Sequence, residues 1–281
     1  MTTRPISATS TAPAAPRNGW AERYSPAEFL RGTAAIVATE LVKLRRDPSE
    51  ILTRSIQPAL WLLVFGQVFG RLHAVPTGKL DYFSFLAPGI LAQSVLFIAI
   101  FFGISVIWER DLGILQKLLA SPSPRGALVL GKAVSAGMRA LAQGVIVYLM
   151  AAAMSIRLNW SPLALGGVML AVMLGAALFS TFSLMIACLV KSRERFMGIG
   201  QVMTMPLFFT SNAIYPISIM PTWLKIVAHI NPLSYQVDLL RALMVVGGTS
   251  TFGIGMDMLI LTGMLIALIV VTSKLYPTIV Q

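Results

Sequence analysis

The sequence predicts an all-α membrane protein of six transmembrane helices with an interfacial amphipathic helix at the N-terminus. Three observations predict it. Of 281 residues, 56% are hydrophobic and only 12% are charged, against about 25% charged in an ordinary soluble domain. The apolar stretches run on for the roughly 20 residues that a helix needs to cross a bilayer about 30 Å thick. The lysines and arginines gather between those stretches rather than along one face.

Residues 1–27 are rich in Thr, Ala, Pro and Ser and lack an apolar core of signal-peptide length, which predicts a disordered cytoplasmic tail. Over residues 28–48, Phe29, Thr33, Ile36, Val37, Leu41 and Leu44 recur at three- and four-residue spacing, while Arg31, Glu40 and Lys43 are expected to point elsewhere. That pattern describes a helix lying in the membrane interface, closed by Arg45-Arg46-Asp47-Pro48. Six spans are expected within 52–276, over 55–70, 82–108, 128–154, 163–190, 196–215 and 256–273, and Arg54 is placed to snorkel to the inner interface.

Orientation follows from the cations. With the N-terminus inside, sixteen Lys and Arg fall on the cytoplasmic side, among them Arg45, Arg46, Arg110, Lys117, Arg125, Lys132, Lys191, Arg193 and Arg195. Five fall outside: Arg71, Lys79, Arg157, Lys225 and Arg241. Both termini are therefore expected in the cytoplasm. The net charge of +11 is distributed between apolar segments, not on a soluble basic face, which argues against a nucleic-acid partner. The single cysteine, Cys188, excludes a disulfide framework and reads as a small buried hydrophobe.

The most informative polar segment joins the second and third spans. From Trp108 to Arg125, Leu112, Leu115, Leu118 and Leu119 lie at helical spacing and Ser121-Pro122 closes the turn. A short amphipathic helix of this kind either lies against the membrane or fits a partner's groove.

The pattern Glu109-Arg110-x-x-Gly113-x-Leu115-x-x-Leu118-x-x-Ser121-Pro122, followed by Arg125 and Gly131-Lys132, resembles the permease subunits of type-2 ATP-binding-cassette exporters, in particular the daunorubicin-resistance type. Arg46-Asp47-Pro48 before the first span and Asn231-Pro232-Leu233-Ser234-Tyr235 with Asp238 and Arg241 before the last are similar to two further motifs of that family. The resemblance implies a bacterial cell-membrane permease working with a separate cytoplasmic ATPase and a second permease copy or relative. ATP and magnesium would belong to the ATPase, and this chain would carry no cofactor and no catalytic residue. Loop 109–125 would hold a coupling helix, with Glu109, Arg110, Gly113, Leu115, Lys117, Leu118, Ser121, Pro122 and Arg125 at the ATPase interface. Residues 214–248, broken by Pro216, Pro221 and Pro232, would form re-entrant helices; a structured outer loop anchored by Trp223 and Tyr235 is the alternative. Gln116 stands where the family often has an acid, and Ser123-Pro124 occupies a variable position. The implied cargo is an amphipathic drug, lipid or glycoconjugate.

Other features are weighed against that frame. Gly126 to Lys132 has P-loop spacing, but Ala133 follows in place of a hydroxyl residue and no strand precedes, so Lys132 is read as marking the inner interface. Gln93, Phe97, Phe101, Gln143, Asn212 and Tyr215 are candidate pathway residues; helix pairing and packing are the competing roles. Arg139 should face protein or water, Gly166-Gly167 and Gly175 should allow close packing, and Asp257 should cap the last helix. His73 and His229 have no second ligand at metal spacing. Rival classes are an ion-gradient transporter, which needs intramembrane acids, and an assembly protein that moves nothing.

Overall fold

The structure, a computed structural model, describes residues 26–46, 49–72, 75–78, 80–113, 125–190 and 192–275. These form nine α-helices: α1 Pro26–Arg46, α2 Ser49–Leu72, α3 Tyr82–Asp111, α4 Arg125–Ala153, α5 Pro162–Leu189, α6 Arg193–Phe209, α7 Thr222–Ile230, α8 Pro232–Met244 and α9 Ile254–Leu275. No strand occurs among the described residues. One isolated antiparallel bridge, Leu158 to Val245, ties the α4–α5 connection to the end of α8.

Lipid offers backbone groups no partner, so spanning segments must satisfy themselves as helices. Among the described residues four helices are long and apolar enough to cross a membrane: α3, α4 from Gly126, α5 and α9. Local chemistry fixes their starts. Asp81 caps α3 by accepting from the Ser84 N–H at 3.2 Å. Ser161 caps α5 by accepting from the Ala164 N–H at 3.2 Å, and Pro162 occupies the first turn, where its missing donor costs nothing.

α3 is the axis of the bundle. It packs on α2, α4, α5, α6 and α8 and is buried along most of its length. α9 lies at the periphery against α5 and α8, with Leu259, Ile266 and Val270 exposed. An aromatic ladder runs along one edge, from Trp61 through Phe65 and Phe69 of α2 to Tyr82 and Phe85 of α3.

Several expectations shift. α2 begins at Ser49, ahead of the expected span, and α6 ends at Phe209 instead of 215. Pro206 removes a donor near its end, and Thr210 closes it with an N–H to the Pro206 carbonyl at 2.9 Å. At 17 residues α6 reaches only about 25 Å. The tail expected over 1–27 lies outside the described residues up to 25, and α1 already includes Pro26 and Ala27. Residues 214–248 hold a 3-10 turn, Ile217–Ile219, and the short helices α7 and α8.

α1 lies along α4, and the glycines that imitate a P-loop make room for it. A Cβ at Gly131 would stand 2.9 Å from the Cβ of Ile36, and one at Gly126 would stand 3.3 Å from the Phe29 ring. Overpacking of this kind costs about 1–3 kcal/mol. Gly131→Val should therefore lower the unfolding temperature in detergent and speed tryptic cleavage at Arg31 and Lys43. Gly166→Val, at a position with open space around it, should change neither.

Candidate functional site

At the α1 end of the bundle five charged side chains from three helices meet. The Lys132 ammonium of α4 donates to Glu40 of α1 at 3.0 Å and to Glu109 of α3 at 2.8 Å. Lys43 donates to the same two carboxylates at 3.0 and 3.1 Å. Arg139 donates to the other Glu40 oxygen at 2.9 Å. The Lys132 and Arg139 cations also sit over the Phe102 ring at 5.6 and 5.4 Å. Glu40, Glu109 and Lys132 are buried, so each charge is tolerated only because the others are present. Burial alone would raise the Glu40 carboxyl; the charge and hydrogen bonds of Lys132 and Lys43 outweigh it and hold the group at about 2, down from 4.5.

This corrects the reading of α1. Glu40 does not point away from its apolar stripe; it continues the line of Thr33 and Ile36 into the protein, while Leu41 is exposed. The signal was present in the spacing, since residues three, four and seven apart share a helix face. Arg139 meets the expectation that it faces protein.

Glu109 and Arg110 lead in different directions. Glu109 joins α1 and α4, whereas Arg110 donates to the Val190 carbonyl at the end of α5 at 3.3 Å. Its neighbour Asp111 pairs with Arg193 of α6 at 2.9 Å, and Arg193 lies over the Trp108 ring at 4.3 Å. Gly113 follows with a positive φ of 70°, a conformation glycine adopts without steric cost. Leu115, Lys117, Leu118, Ser121 and Pro122 lie outside the described residues. Arg125 opens α4, and of its side chain nothing is described.

Four candidate pathway residues converge. Gln93, Phe97 and Phe101 of α3 and Gln143 of α4 line one cavity of about 250 Å³, closed on the other side by Arg54, Gln57 and Pro58 of α2. Gln143 stands about 6 Å beyond Arg139 along α4, so the cavity begins one turn past the ion cluster. Gln143 donates to Ser55 at 2.9 Å. Gln93 Nε2 and Gln143 Oε1 are buried without hydrogen-bond partners among the described residues, and each such group costs about 1–3 kcal/mol.

Asn212 and Tyr215 lie elsewhere, at the α8 end. Asp238 is fully buried and accepts from Thr251 Oγ1 at 3.0 Å, the Phe252 N–H at 3.0 Å, Ser250 Oγ at 2.9 Å and Asn212 Nδ2 at 3.4 Å. Arg241 donates to the carbonyls of Asn212 at 2.8 Å and Phe85 at 3.3 Å, with its guanidinium 3.8 Å over the Phe85 ring. Asn231 caps α8 through the Leu233 N–H at 2.9 Å and donates to the Leu207 carbonyl at 2.7 Å. Pro232 fills the first turn, and Tyr235 donates to the His229 carbonyl at 2.6 Å. The motif is thus a fastening between α8, α6 and α3. Tyr215 donates to the Phe209 carbonyl. Asp257 does not cap α9: its carboxyl lies 2.9 Å from Ser250 Oγ, and it is Ser250 Oγ that accepts from the Gly253 N–H at 2.6 Å.

The sequence matches known proteins. Residues 31–245 match the ABC-2 type transporter family. The chain belongs to that family. The match runs from α1 to the end of α8 and so takes in the ion cluster, the cavity and the Asn231 to Arg241 fastening. The ABC-2 chain is 24% identical over 284 residues to the daunorubicin resistance ABC transporter permease protein DrrB1 of Streptomyces coeruleorubidus, covering 98% of each chain. It is 26% identical to a putative transport permease, ycf38, of Cyanophora paradoxa, over 76% of this chain and 74% of that one. It is 30% identical to the probable multidrug ABC transporter permease YbhR of Escherichia coli, over 58% of this chain and 44% of that one. The protein is accordingly a multi-pass transport permease.

The ion cluster carries a pH signature. Glu40 titrates at about 2 in the fold against 4.5 when free, so its stabilisation is complete above about pH 4.5 and is lost as pH falls toward 2. Glu40→Gln should flatten that acid limb of thermal unfolding in detergent. At neutral pH it should cost about 3–5 kcal/mol, because Lys132 and Arg139 lose their shared carboxylate.

Proposed function

We propose that this chain is the transmembrane subunit of an ATP-driven exporter of the bacterial cell membrane, energised by a separate cytoplasmic ATPase that binds ATP and magnesium. The observation that carries the reading is the joining of family membership to the cluster at Glu109. The helix that leads into loop 109–125 is bound through the half-exposed Lys43 to α1, through the buried Lys132 to α4, and through Arg110 and Asp111 to α5 and α6. A push delivered at the loop reaches four helices at once. In this reading Leu115 and Leu118 seat a coupling helix in the ATPase, Gly113 is its pivot, and Lys117, Ser121, Pro122 and Arg125 complete the contact.

The chain crosses the membrane six times, α2 and α6 joining the four long helices, with 1–27 as a cytoplasmic tail, 28–48 as the interfacial helix and 52–276 as the transmembrane domain. α2 and α6 each expose apolar residues on one face, Ile56, Leu60, Leu63 and Val64 on one and Val202 and Phe209 on the other. Shorter or more polar than the other four, they suit a protein neighbour better than lipid, and a second permease is that neighbour. α7 and α8 dip into the outer leaflet; the burial of α8 between α3, α5 and α9 satisfies the condition that such segments be enclosed by protein. The cargo is an amphipathic drug, lipid or glycoconjugate leaving the cytoplasm or inner leaflet.

Replacing Leu115 and Leu118 together by Asp should abolish copurification of the ATPase and cargo-stimulated hydrolysis while the permease still reaches the membrane. Retention of both would remove the docking assignment. Uptake of cargo into inverted vesicles holding the copurified pair, dependent on ATP and insensitive to ionophores, is the transport result expected.

A further inference from the structure

At the α8 end two acidic side chains share one hydroxyl. Ser250 Oγ lies 2.9 Å from Asp238 Oδ2, 2.9 Å from Asp257 Oδ2 and 2.6 Å from the Gly253 nitrogen. A serine hydroxyl has one proton to give and two lone pairs. The Gly253 N–H takes one lone pair, because a peptide nitrogen can only donate. One proton and one lone pair remain for two carboxyl oxygens. Ser250 donates to one of them; the other is held at 2.9 Å only if it donates to Ser250, and for that it needs a proton of its own.

The surroundings decide which carboxyl that is. Asp238 is furnished as a carboxylate: Oδ2 accepts from the N–H groups of Thr251 and Phe252, and Oδ1 accepts from Thr251 Oγ1 and Asn212 Nδ2. The Arg241 guanidinium stands 4.0 Å away. A proton on Asp238 would face those donors. Asp257 is 0% exposed, and its Oδ1 meets no partner among the described residues.

The elements around α9 bring it no cation. From α8, Arg241 is turned to the Asn212 and Phe85 carbonyls, and the Tyr235 hydroxyl donates to the His229 carbonyl. From α4, the Tyr148 hydroxyl donates to the Asn159 carbonyl, while Lys132 and Arg139 belong to the cluster at the other end. α5 contains no charged residue. On α7, Lys225 and His229 are exposed, and the His229 ring lies against Phe252. An ionised Asp257 would sit dry beside a second carboxylate, both claiming the same hydroxyl.

We propose that Asp257 is a buried proton-binding site, carrying its proton on Oδ2 and donating it to Ser250, which donates in turn to Asp238. The two bonds latch the first turn of α9 to the 250–253 segment and to α8. Loss of the proton leaves two carboxylates on one hydroxyl, and the turn swings outward; Gly253 to Met256 are already exposed, so the way to water is short. The proton does not depend on the exporter reading; that the latch faces the outside does.

The full chain in detergent provides the test. At neutral pH its infrared spectrum should contain the carbonyl stretch of a protonated carboxylic acid, lost in Asp257→Asn. That substitution puts an N–H donor where the proton was and should move the unfolding temperature by less than about 2 °C, whereas Asp238→Asn sets an amide against donors and should lower it by at least about 5 °C. The fold holds one more proton here than the unfolded chain, so raising the pH from about 6 to about 9, beyond the ordinary carboxylate range, should destabilise the wild type. Asp257→Asn should lack that part of the decline while keeping whatever Lys225 and His229 contribute. Absence of a carboxylic-acid band that depends on Asp257 overturns the proposal. So does an Asp257→Asn chain as unstable as Asp238→Asn or too unstable to purify. Stabilisation of the wild type but not of Asp257→Asn by calcium also overturns it, because the ligand would then be a metal ion.

Discussion

The cluster of Glu40, Lys43, Glu109, Lys132 and Arg139, in which both carboxylates and Lys132 are buried, is the constraint on which the α1 end depends. A lone charge moved out of water costs several kcal/mol, and partners in good geometry recover most of that. Here three cations share two carboxylates, and the carboxylates come from α1 and α3 while the buried cations come from α4. Moving α4 away from α1 breaks the Lys132 and Arg139 contacts to Glu40 together. That requirement places α1, whose remaining contacts are a narrow apolar stripe, against the Gly126 and Gly131 face of α4.

A second fastening holds the opposite end of α3. Arg241 reaches across to the Phe85 carbonyl and ring, and Asp238 gathers the 250–252 segment and Asn212. The logic is the same at both ends, with a difference in partners. The α1 end is built from side chains alone, so its charges can be redistributed among alternative pairs. The α8 end uses side chains on backbone carbonyls and N–H groups, which have no other partner in a membrane and fix the chain path instead. Asn231-Pro232 sits in this second network because one residue must cap a buried helix while its amide reaches back to α6.

Much of the helical plan was legible because hydrophobic length and caps are local. The starts expected at 82 and 163 fall within a residue of the observed Tyr82 and Pro162, where Asp81 and Ser161 supply the caps. What was not legible depends on distant partners. Glu40 looked like a solvated charge because nothing within its own helix shows that Glu109, Lys132 and Arg139 arrive at the same point, 69 to 99 residues later. α6 looked longer because Ser211 to Tyr215 is compatible with an apolar span; it turns away because Asn212 is claimed by Asp238 and Arg241. Asp257 looked like a cap because it stands in the first turn, but Ser250 was nearer to the donor. The convergence of Gln93, Phe97, Phe101 and Gln143 was visible only as a set of unusual residues, since the facing wall is supplied by α2.

The two fastenings decide how α3 can move. At 30 residues it is about 45 Å long, and its ladder of backbone hydrogen bonds makes it stiff against bending. A force applied beyond Asp111 therefore tilts or translates the helix, and does not fold it, and the displacement is resisted wherever a fastening would have to break. Breaking the Arg241 contacts would leave a guanidinium and two carbonyls unpaired in a dry site. Sliding Lys43 or Lys132 between Glu40 and Glu109 leaves every charge with a partner throughout. The lower-cost motion pivots α3 about Phe85 and lets the ion cluster rearrange, and the cavity at Gln93 to Phe101 lies between the pivot and the moving end. A displacement of α3 at Asp111 would on that geometry change the width of the cavity, with α2 as the wall that α3 approaches or leaves.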